Sequence, residues 1–440
     1  MLDLEEIGVR RKVRDPIYGY IWLTDQELAI VDTPLFQRLR RVHQLALTKY
    51  VYPSAEHSRF SHSLGVLQAA TRIFQELFKN KKAHGEGWDK GRQCQMLKKL
   101  RLAALLHDIG HQPFSHGGEE SFLPARVKHE DVTAHIIGNY KPIAGVISEM
   151  DIQGVDLFFK PNPSSRDATL RMILSGELDA DRADYLLRDS HCCGVKYGQY
   201  DFERYVQAFQ LTWEGGAPKL NVHEGDIYVL EAFLMARYHY SLQVLFHRTR
   251  VGYDLVLTKY LQTKSLRGEL PQICKSAGPG LVEEMDFEQF EARDDCAMFE
   301  EIKEDARGGD RWARMLLRQE HLRAVLDENC CRENAEDRYR QAIAALTSAK
   351  LVADEDFFVY TRSVKLSNMI RDGETNEKPE QEPASGINVL DRQENVLGDI
   401  KQFSRLIQNF SKPLSLYRVY AAPEREDAVR TALSPILGRP

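Results

Sequence analysis

Apolar residues recur every three or four positions along most of the chain, and this spacing predicts a mainly α-helical fold. The helical pattern is clearest in residues 62–77, 102–109 and 226–261. Residues 8–24 differ, because β-prone runs stand on both sides of a turn that contains proline and glycine, and this arrangement predicts a β-hairpin. We therefore expect a helical core with a short N-terminal β-hairpin and a C-terminal helical or α+β lobe.

Changes in pattern and composition divide the 440-residue chain into five segments. They are an N-terminal hairpin region at 1–30, a core at 31–260, a helical lobe at 261–371, a linker or long loop at 372–386 and an α+β appendage at 387–440. The linker is acidic and poor in hydrophobic residues, a composition typical of flexible segments. Residues 415–420 predict a strand in the appendage.

The formal net charge of −6 argues against a broad basic face, so nucleic acid stays open as a partner but is not indicated. A phosphate-bearing ligand would instead be held by local arginines, lysines or a metal. No apolar run reaches the ~20 residues that span a bilayer, and the N-terminus lacks the apolar segment of a secretory signal. The seven scattered cysteines without CxxC spacing are typical of reduced thiols, so we expect a cytoplasmic protein with no membrane association.

The strongest concentration of reactive side chains is the stretch 105–116, LLHDIGHQPFSH, at the end of an apolar helix. Gly110 suits the left-handed position that often ends a helix, and Pro113 stiffens the turn that follows. His107 and Asp108 are adjacent on the last turn and point about 100° apart. They can therefore bind one ion only if further ligands arrive from other elements.

Two further candidate ligands lie elsewhere in the chain. His62 falls in the first turn of a helix for which Ser61 is the expected N-cap, near the positive end of the helix dipole, which favours a neutral imidazole. Asp181 lies in the charge-rich segment 176–189, which by itself is equally well explained as a salt-bridged surface. The four candidate metal ligands are His62, His107, Asp108 and Asp181. Two imidazoles and two carboxylates suit manganese, iron, magnesium, zinc or nickel, and leave positions for water and a substrate oxygen.

Groups that transfer protons are expected around this ion. The candidates are His111, His116 and His129. Glu119 follows His116 by three residues and can orient its imidazole through a hydrogen bond. A metal that neutralises phosphate charge beside histidines that move protons predicts phosphate-ester hydrolysis.

Several motifs in this order resemble the deoxynucleoside triphosphate triphosphohydrolases of the HD-domain class, particularly the bacterial relatives of the sterile-alpha-motif and HD-domain enzyme. These motifs are DPIYG at 15–19, DTP at 32–34, FQRLR at 36–40, RFSHSLG at 59–65, the stretch 107–116 and residues 181–189. The resemblance covers roughly residues 10–260, and no sterile-alpha-motif domain is expected ahead of the hairpin. It implies an HD-domain helical core in which water attacks the α-phosphorus, releasing deoxynucleoside and inorganic triphosphate.

The resemblance also implies roles for single residues. It gives the metal ligands as His62, His107, Asp108 and Asp181. It gives the residues that contact or cleave the triphosphate as Arg59, His111, His116, His129, Arg182 and Arg237. It gives the deoxyribose contacts as Gln44, Leu45, Tyr185 and Asp189. Leu45 lies at the position where its side chain would crowd the 2′-hydroxyl of a ribose. His116, oriented by Glu119, is the implied proton donor to the 5′-oxygen. The chain departs from the pattern at Glu119, where an aspartate is expected, and at Leu245, where a sugar-side tyrosine is expected.

A second set of matches concerns regulation. Lys12, Val13, Asp32, Gln37 and Arg40 resemble a guanine-nucleotide site that forms between the subunits of a tetramer. The resemblance therefore implies a GTP or dNTP activator and a homo-oligomer, with a tetramer as the expected state.

Two alternative functions stay open at this stage. One is another HD-domain phosphohydrolase, such as a nucleotide monophosphatase or a phosphodiesterase. The other is a non-catalytic nucleotide or single-stranded nucleic-acid binding protein. The sequence leaves open the metal, the preferred base, the need for an activator, the role of residues 387–440, and the choice between nucleotide-pool control and phage defence.

Overall fold

Helices make up most of the structure, a computed structural model that describes residues 4–79, 89–150, 154–155, 165–176, 179–214, 217–329, 334–364, 387–410 and 413–437. The helices are α1 (Asp25–Val31), α2 (Pro34–Arg38), α3 (Arg59–Leu77), α4 (Lys90–Leu106), α5 (His116–Phe122), α6 (His129–Asn139), α7 (Lys141–Glu149), α8 (Ser165–Ser175), α9 (Ala180–Cys193), α10 (Phe202–Ala208), α11 (Ile227–Tyr240), α12 (Arg248–Leu266), α13 (Phe287–Ala292), α14 (Asp295–Arg307), α15 (Arg311–Leu317), α16 (Ala335–Ser348), α17 (Arg405–Asn409) and α18 (Glu426–Leu437). The mainly helical prediction is confirmed.

The described residues also form four small sheets. The strands are β1 (Val9–Asp15), β2 (Gly19–Thr24), β3 (Phe209–Glu214), β4 (Ala217–His223), β5 (Cys274–Gly278), β6 (Leu281–Met285), β7 (Arg323–Asn329), β8 (Phe357–Val364), β9 (Asn388–Leu390), β10 (Val396–Asp399) and β11 (Leu414–Ala421). Strands β1 and β2 form the predicted hairpin, with Val13 opposite Ile21 in an antiparallel register. Its turn is closed by Asp15, whose Oδ1 accepts from the backbone N–H groups of Ile17 and Tyr18.

The core of the molecule is built around α3, α4 and α9. Leu102, Leu105 and Leu106 of α4 are fully buried, as the helical spacing predicts. Helix α3 begins at Arg59 with Ser58 as its N-cap, so the expected cap at Ser61 is wrong. The hydroxyl of Ser61 instead donates to the carbonyl of Ser58, which leaves His62 close to the start of the helix.

Helix α4 begins earlier than the polar sequence suggested. Residues 90–99, a largely polar stretch, are helical. The side chain of Asp89 caps this helix by accepting from the backbone N–H of Arg92, and the apolar side chain of Leu97 is buried. A cap and a few apolar anchors therefore suffice to extend the helix through a lysine-rich stretch.

The C-terminal segments share sheets with earlier parts of the chain. Strand β11, which contains the predicted strand at 415–420, lies between β7 and β8 in an antiparallel sheet. Strand β9 pairs with β4 of the core. Segments 261–371 and 387–440 thus both contribute strands to the sheet of β7, β11 and β8. The boundaries of these segments stay predictions. The predicted linker at 372–386 lies outside the described residues. In the part of the chain that the structure describes, no helix has the length and apolar character that crossing a membrane requires.

Candidate active site

The four predicted metal ligands meet at one point, and we call His62, His107, Asp108 and Asp181 the metal cluster. Helix α3 supplies His62, the end of α4 supplies His107 and Asp108, and α9 supplies Asp181. His62 Nε2 lies 3.0 Å from Asp181 Oδ1 and 3.7 Å from Asp108 Oδ2. His107 Nε2 lies 3.3 Å from Asp108 Oδ1 and 3.9 Å from Asp181 Oδ1. Donor atoms of His62, His107 and Asp108 are thus close enough to share one ion, and Asp181 Oδ1 lies beside both imidazoles.

Both imidazoles of the metal cluster are held through Nδ1. His62 Nδ1 is 2.8 Å from Asp184 Oδ2, and His107 Nδ1 donates to the carbonyl of Ala104 at 2.8 Å. Each Nε2 therefore faces the carboxylates. His107 Nε2 is buried and has no hydrogen-bond partner among the described residues. A buried nitrogen without a partner, directed at carboxylates, fits a divalent metal ion, for which neutral imidazole and carboxylate are ordinary ligands.

The charges around the cluster favour a cation. Burial opposes ionisation of Asp108, but Arg59 and the imidazoles of His107 and His111 hold its pKa well below the ordinary value. Burial also disfavours a charged His62, yet hydrogen bonds to Asp181 and Asp184 raise the pKa of His62 to about 10. The carboxylates thus stay ionised and attract positive charge, which a metal ion would supply in place of a proton.

A second group of histidines lies beside the first, and we call His111, His116, Glu119 and His129 the histidine cluster. The rings of His111 and His129 stack with centroids 3.8 Å apart. Glu119 holds the other two histidines, with Oε2 at 3.0 Å from His116 Nδ1 and Oε1 at 3.0 Å from His129 Nδ1. The His116 side chain is 68% exposed, whereas that of His111 is 1% exposed.

The pKa values within the histidine cluster move in opposite directions. Burial and the charge of Arg59 hold the pKa of His111 well below its ordinary value. Burial also acts on His129, but its hydrogen bond to Glu119 raises the pKa of His129 overall. Burial would raise the pKa of Glu119, but hydrogen bonds from His116 and His129 hold it far below its usual range. Neighbouring groups with divergent pKa values are suited to acid–base roles.

The turn between the two clusters owes its shape to contacts that the sequence did not indicate. Contrary to our expectation, the backbone of Gly110 is not left-handed. The residues of this turn with a left-handed backbone are Phe114 (φ 60°) and Ser115 (φ 54°). A Cβ on Gly110 would lie 2.3 Å from the carbonyl oxygen of His129 and 2.6 Å from the backbone nitrogen of Thr133. Gly110 is therefore required by the close approach of α6.

Asp295 from the C-terminal half and Arg38 from α2 hold this turn in place. Asp295 is fully buried, and its Oδ1 accepts from the Phe114 N–H at 2.7 Å. The other oxygen, Oδ2, accepts from the His43 N–H at 2.9 Å, and the hydroxyl of Ser115 donates to the carbonyl of His43. Arg38 of α2 is fully buried and donates to the carbonyl of His111 at 2.8 Å.

A cavity of about 610 Å³ opens onto both clusters. Predicted site residues that line it are Gln44, Leu45, Arg59, His107, Asp108, His111, His116, His129, Asp181, Tyr185 and Asp189. The other lining residues are Lys128, Glu130, Asp131, Arg171, Leu174, Ser175, Tyr240 and Leu245. The predicted residues absent from the lining are His62, Glu119, Arg182 and Arg237. His62 and Glu119 support lining residues, and Arg182 forms an ion pair with Asp179.

The predicted sugar side of the cavity contains a second imidazole–carboxylate pair. His57 Nε2 lies 2.7 Å from Asp189 Oδ1, and the Tyr240 hydroxyl donates to Asp189 Oδ2. Burial opposes protonation of His57, but its hydrogen bond to Asp189 raises its pKa to about 9. Tyr240 thus brings a tyrosine hydroxyl to Asp189 from five residues before Leu245, where the resemblance implied a tyrosine.

The residues predicted to bind a regulatory nucleotide lie on the hairpin and on the helices that follow it. Arg40 Nε donates to Gln37 Oε1 at 2.7 Å, and Asp32 is exposed at the C-cap of α1. On β1, Lys12 Nζ lies 4.7 Å from the centre of the Tyr20 ring and Val13 is half-buried. Nucleotide binding at these residues stays a prediction.

Residues 59–189, from Arg59 to Asp189, match the HD domain family. The chain contains an HD domain. This domain includes all four residues of the metal cluster and all four of the histidine cluster. HD domains bind divalent metals, in agreement with the donor set of the metal cluster.

Curated relatives match about half of the chain. The uncharacterized protein YwfO of Bacillus subtilis is 34% identical over 268 residues, 60% of this chain and 58% of that protein. The deoxynucleoside triphosphate triphosphohydrolase SAMHD1 of Homo sapiens is 30% identical over 236 residues, 46% of this chain and 36% of that protein. The chain spans about half the length of the curated relatives that it matches first.

Solved structures share the fold over nearly the whole chain. A hypothetical protein from Aquifex aeolicus has a TM-score of 0.75 and 26% identity, covering 96% of this chain and 99% of that one. A phosphohydrolase from Bacteroides thetaiotaomicron has a TM-score of 0.68 and 24% identity, covering 94% and 100%. The fold is therefore shared beyond the HD domain, through the C-terminal segments.

Proposed function

We propose that this chain is a metal-dependent phosphohydrolase that converts deoxynucleoside triphosphates and water into deoxynucleosides and inorganic triphosphate. The observation that carries the proposal is the convergence of the metal cluster and the histidine cluster on one cavity, beside the sugar-side pair of His57 and Asp189. The similarity to a deoxynucleoside triphosphate triphosphohydrolase over 236 residues supports the same substrate class.

The metal cluster would hold the ion through His62 Nε2, His107 Nε2 and the carboxylates of Asp108 and Asp181. A divalent ion bound there supplies charge neutralisation on phosphate oxygens and lowers the pKa of water. The protein itself contributes Arg59, whose Nη1 lies 2.5 Å from Asp108 Oδ2 and whose Nε donates to Ser115 Oγ at 2.8 Å. Arg59 therefore stands between the two clusters, where a phosphate group would meet it.

The histidine cluster would handle the proton of the leaving group. Attack of water on the α-phosphorus breaks the bond to the 5′-oxygen, which must gain a proton as deoxynucleoside departs. His116 is the candidate donor, because its Nδ1 is held by Glu119 while most of its ring is exposed to the cavity side. Proton transfer by a positioned histidine contributes about 10²- to 10⁴-fold to rate.

The sugar side of the cavity offers a reason for preferring deoxyribose. Asp189 is fixed by His57 and Tyr240 and can accept a hydrogen bond from a 3′-hydroxyl. Leu45 is 5% exposed and lines the same cavity, so an apolar side chain would crowd a 2′-hydroxyl without offering it a partner. A ribonucleotide would then lose affinity through an unpaired polar group.

The experiment is chromatographic identification of products from each dNTP with manganese, iron, magnesium, zinc or nickel. We expect deoxynucleoside and triphosphate in equal amounts, and much slower turnover of the matching ribonucleotides. Deoxynucleoside monophosphate with pyrophosphate, or release of orthophosphate, would instead indicate a different HD-domain phosphohydrolase. Tight binding without turnover would indicate a nucleotide sensor.

Regulation by nucleotide is a second part of the proposal. We propose that GTP or a dNTP binds at Lys12, Val13, Asp32, Gln37 and Arg40 and promotes a homo-oligomer, with a tetramer as the expected state. The support is the match of these residues to the family's regulatory site and the hydrogen bond between Gln37 and Arg40. Mass photometry with and without GTP and dNTPs tests it, and an unchanged species with unchanged activity would contradict it.

A further inference from the structure

His62 is held from behind by a series of buried charged residues that ends at the turn of the N-terminal hairpin. We propose that Asp184, Arg188 and Asp15 are positioning residues that fix His62 for metal binding. The hairpin turn would then be part of the support of the metal cluster. This inference rests on the metal site of the proposed function.

The first step is the contact of Asp184 with His62. Asp184 is fully buried on α9, and its Oδ2 lies 2.8 Å from His62 Nδ1. A carboxylate at this distance keeps the proton on Nδ1 and orients the ring, so that Nε2 is directed at the metal. Asp184 is one helical turn after Asp181, so α9 supplies both a candidate ligand and the support of another.

The second step is the two-point bond between Arg188 and Asp184. Arg188 Nε and Nη2 donate to the two oxygens of Asp184, both at 2.9 Å. The guanidinium is planar, and two parallel bonds fix the plane of the carboxylate as well as its position. Arg188 is 1% exposed, so water cannot replace these bonds. The orientation of Asp184 thus depends on Arg188.

The third step reaches the hairpin. Arg188 Nη1 donates to Asp15 Oδ2 at 2.8 Å. The other oxygen of Asp15 accepts from the N–H groups of Ile17 at 2.9 Å and Tyr18 at 3.0 Å. Asp15 therefore joins the closed turn of the hairpin to Arg188, and through Arg188 and Asp184 to His62.

Gly65 shows how closely this series packs against the helix that carries His62. A Cβ at Gly65 would lie 2.0 Å from Asp184 Oδ1 and 2.2 Å from Arg188 Nη2. The Arg188–Asp184 pair therefore packs against helix α3 only because Gly65, one turn after His62, has no side chain. The same spacing accounts for the glycine at the end of the RFSHSLG motif.

Helices α1 and α4 offer a matched control, because Arg101 of α4 also bonds strand β2 of the hairpin. Glu27 and Arg101 form another fully buried carboxylate–guanidinium pair, with Arg101 Nε at 2.7 Å from Glu27 Oε1. The further bonds of Arg101 go to Thr71 and to the carbonyl of Trp22, away from the metal cluster. Loss of this pair should lower stability at the same hairpin without changing the orientation of His62.

The experiment measures Mn²⁺ affinity of the metal-free protein by calorimetry, together with thermal unfolding. We expect Asp184→Asn to weaken Mn²⁺ binding by about 10- to 100-fold, the usual effect of removing a residue that orients a ligand. Asp15→Asn keeps an oxygen for the turn but loses the ionic bond to Arg188, and should weaken binding by about 3- to 10-fold. Glu27→Gln should lower the unfolding temperature and leave the Mn²⁺ affinity within about twofold of wild type.

A second readout does not depend on the metal. The Nδ1–H resonance of His62, assigned in histidine-labelled protein with a His62→Gln reference, should be sharp in wild type and Glu27→Gln. It should broaden or vanish in Asp184→Asn and Asp15→Asn. Wild-type affinity and an unchanged resonance in both variants would overturn the inference. If Asp184→Asn does not fold, Asp15→Asn decides.

Failure of the proposed metal site has a different signature. If wild-type protein binds no Mn²⁺, or if His107→Ala binds it equally well, the metal cluster is not the metal site. The Nδ1–H resonance still decides whether the three residues position His62.

Discussion

The metal cluster and the histidine cluster contain the same types of side chain, yet their surroundings differ. In each cluster, three or more donor atoms lie within 4.8 Å of one another. In the metal cluster, each imidazole has a fixed acceptor of its own, and Asp108, Asp181 and Asp184 surround His62. In the histidine cluster, one carboxylate, Glu119, serves two imidazoles.

We infer that the ratio of carboxylate to imidazole and the degree of burial separate the two proposed roles. Several ionised carboxylates around two buried imidazoles create a site that needs a cation. One carboxylate shared by two imidazoles, with a third imidazole of lowered pKa stacked beside them, creates a site in which protons can move. Composition alone would have assigned both clusters to the same function.

The largest effect should follow from removing two ligands of the metal cluster. We expect His107→Ala with Asp108→Ala to lower the rate of dNTP hydrolysis roughly 10³-fold or more, because several kcal/mol of charge stabilisation are lost with the ion. Bound metal, measured by elemental analysis, should fall to background while circular dichroism keeps its helical signal. An unchanged rate in the folded variant would contradict the assignment of the metal cluster.

The next effect should separate the clusters. We expect His116→Gln to lower kcat by about 10²- to 10³-fold, because the leaving 5′-oxygen loses its proton donor. The metal content should stay at the wild-type level. Loss of metal in this variant would mean that the histidine cluster also holds an ion, and the comparison would then fail.

A smaller effect should follow at Glu119, whose proposed role is to orient His116 and not to donate the proton. We expect Glu119→Gln to lower kcat by about 10-fold, since a neutral amide holds the two imidazoles less firmly. Glu119→Asp restores the charge and serves as the matched control, with most of the activity kept. Equal losses in both variants would show that side-chain length, and not charge, matters at this position.

The last prediction concerns stability and not rate, at the sugar-side pair of His57 and Asp189, where one carboxylate meets one imidazole. The pKa of His57, about 9 in the fold, exceeds the ordinary value of 6.5. The His57–Asp189 pair therefore contributes stability that is fully present below pH 6.5 and is lost as the pH rises through 9. We expect this loss to amount to up to about 3 kcal/mol in the free energy of unfolding.

Thermal unfolding between pH 6 and pH 10 checks this expectation. Wild-type protein should lose more stability than His57→Gln over this range, and the two should converge above the folded pKa. A constant difference between them across the range would contradict the protonated His57–Asp189 pair.

The elements that carry the candidate ligands could be predicted because these residues lie in short motifs with their own local signals. His107 and Asp108 end an apolar helix, and His62 follows a recognisable helix start, so their elements could be drawn from spacing alone. Asp295 had no such signal, because its contact with Phe114 joins residues 181 positions apart. Arg38 was missed for the same reason, as its buried partners come from distant segments.

Gly110 illustrates a different limit. A glycine after a helix fits two physical explanations, a left-handed backbone or a close approach of another chain segment, and sequence cannot separate them. The structure gives the second, since α6 leaves no room for a Cβ at Gly110. The strand pairing of β11 with β7 and β8 could not be predicted either, because register between distant strands depends on tertiary packing.

Hydrolysis of a dNTP in oxygen-18 water shows at which phosphorus the water attacks. Phosphorus NMR and mass spectrometry of the products locate the oxygen that water has supplied. Attack at the α-phosphorus predicts one labelled oxygen in inorganic triphosphate and none in the deoxynucleoside. Label in orthophosphate, in pyrophosphate or in the 5′-hydroxyl of the deoxynucleoside would contradict the account.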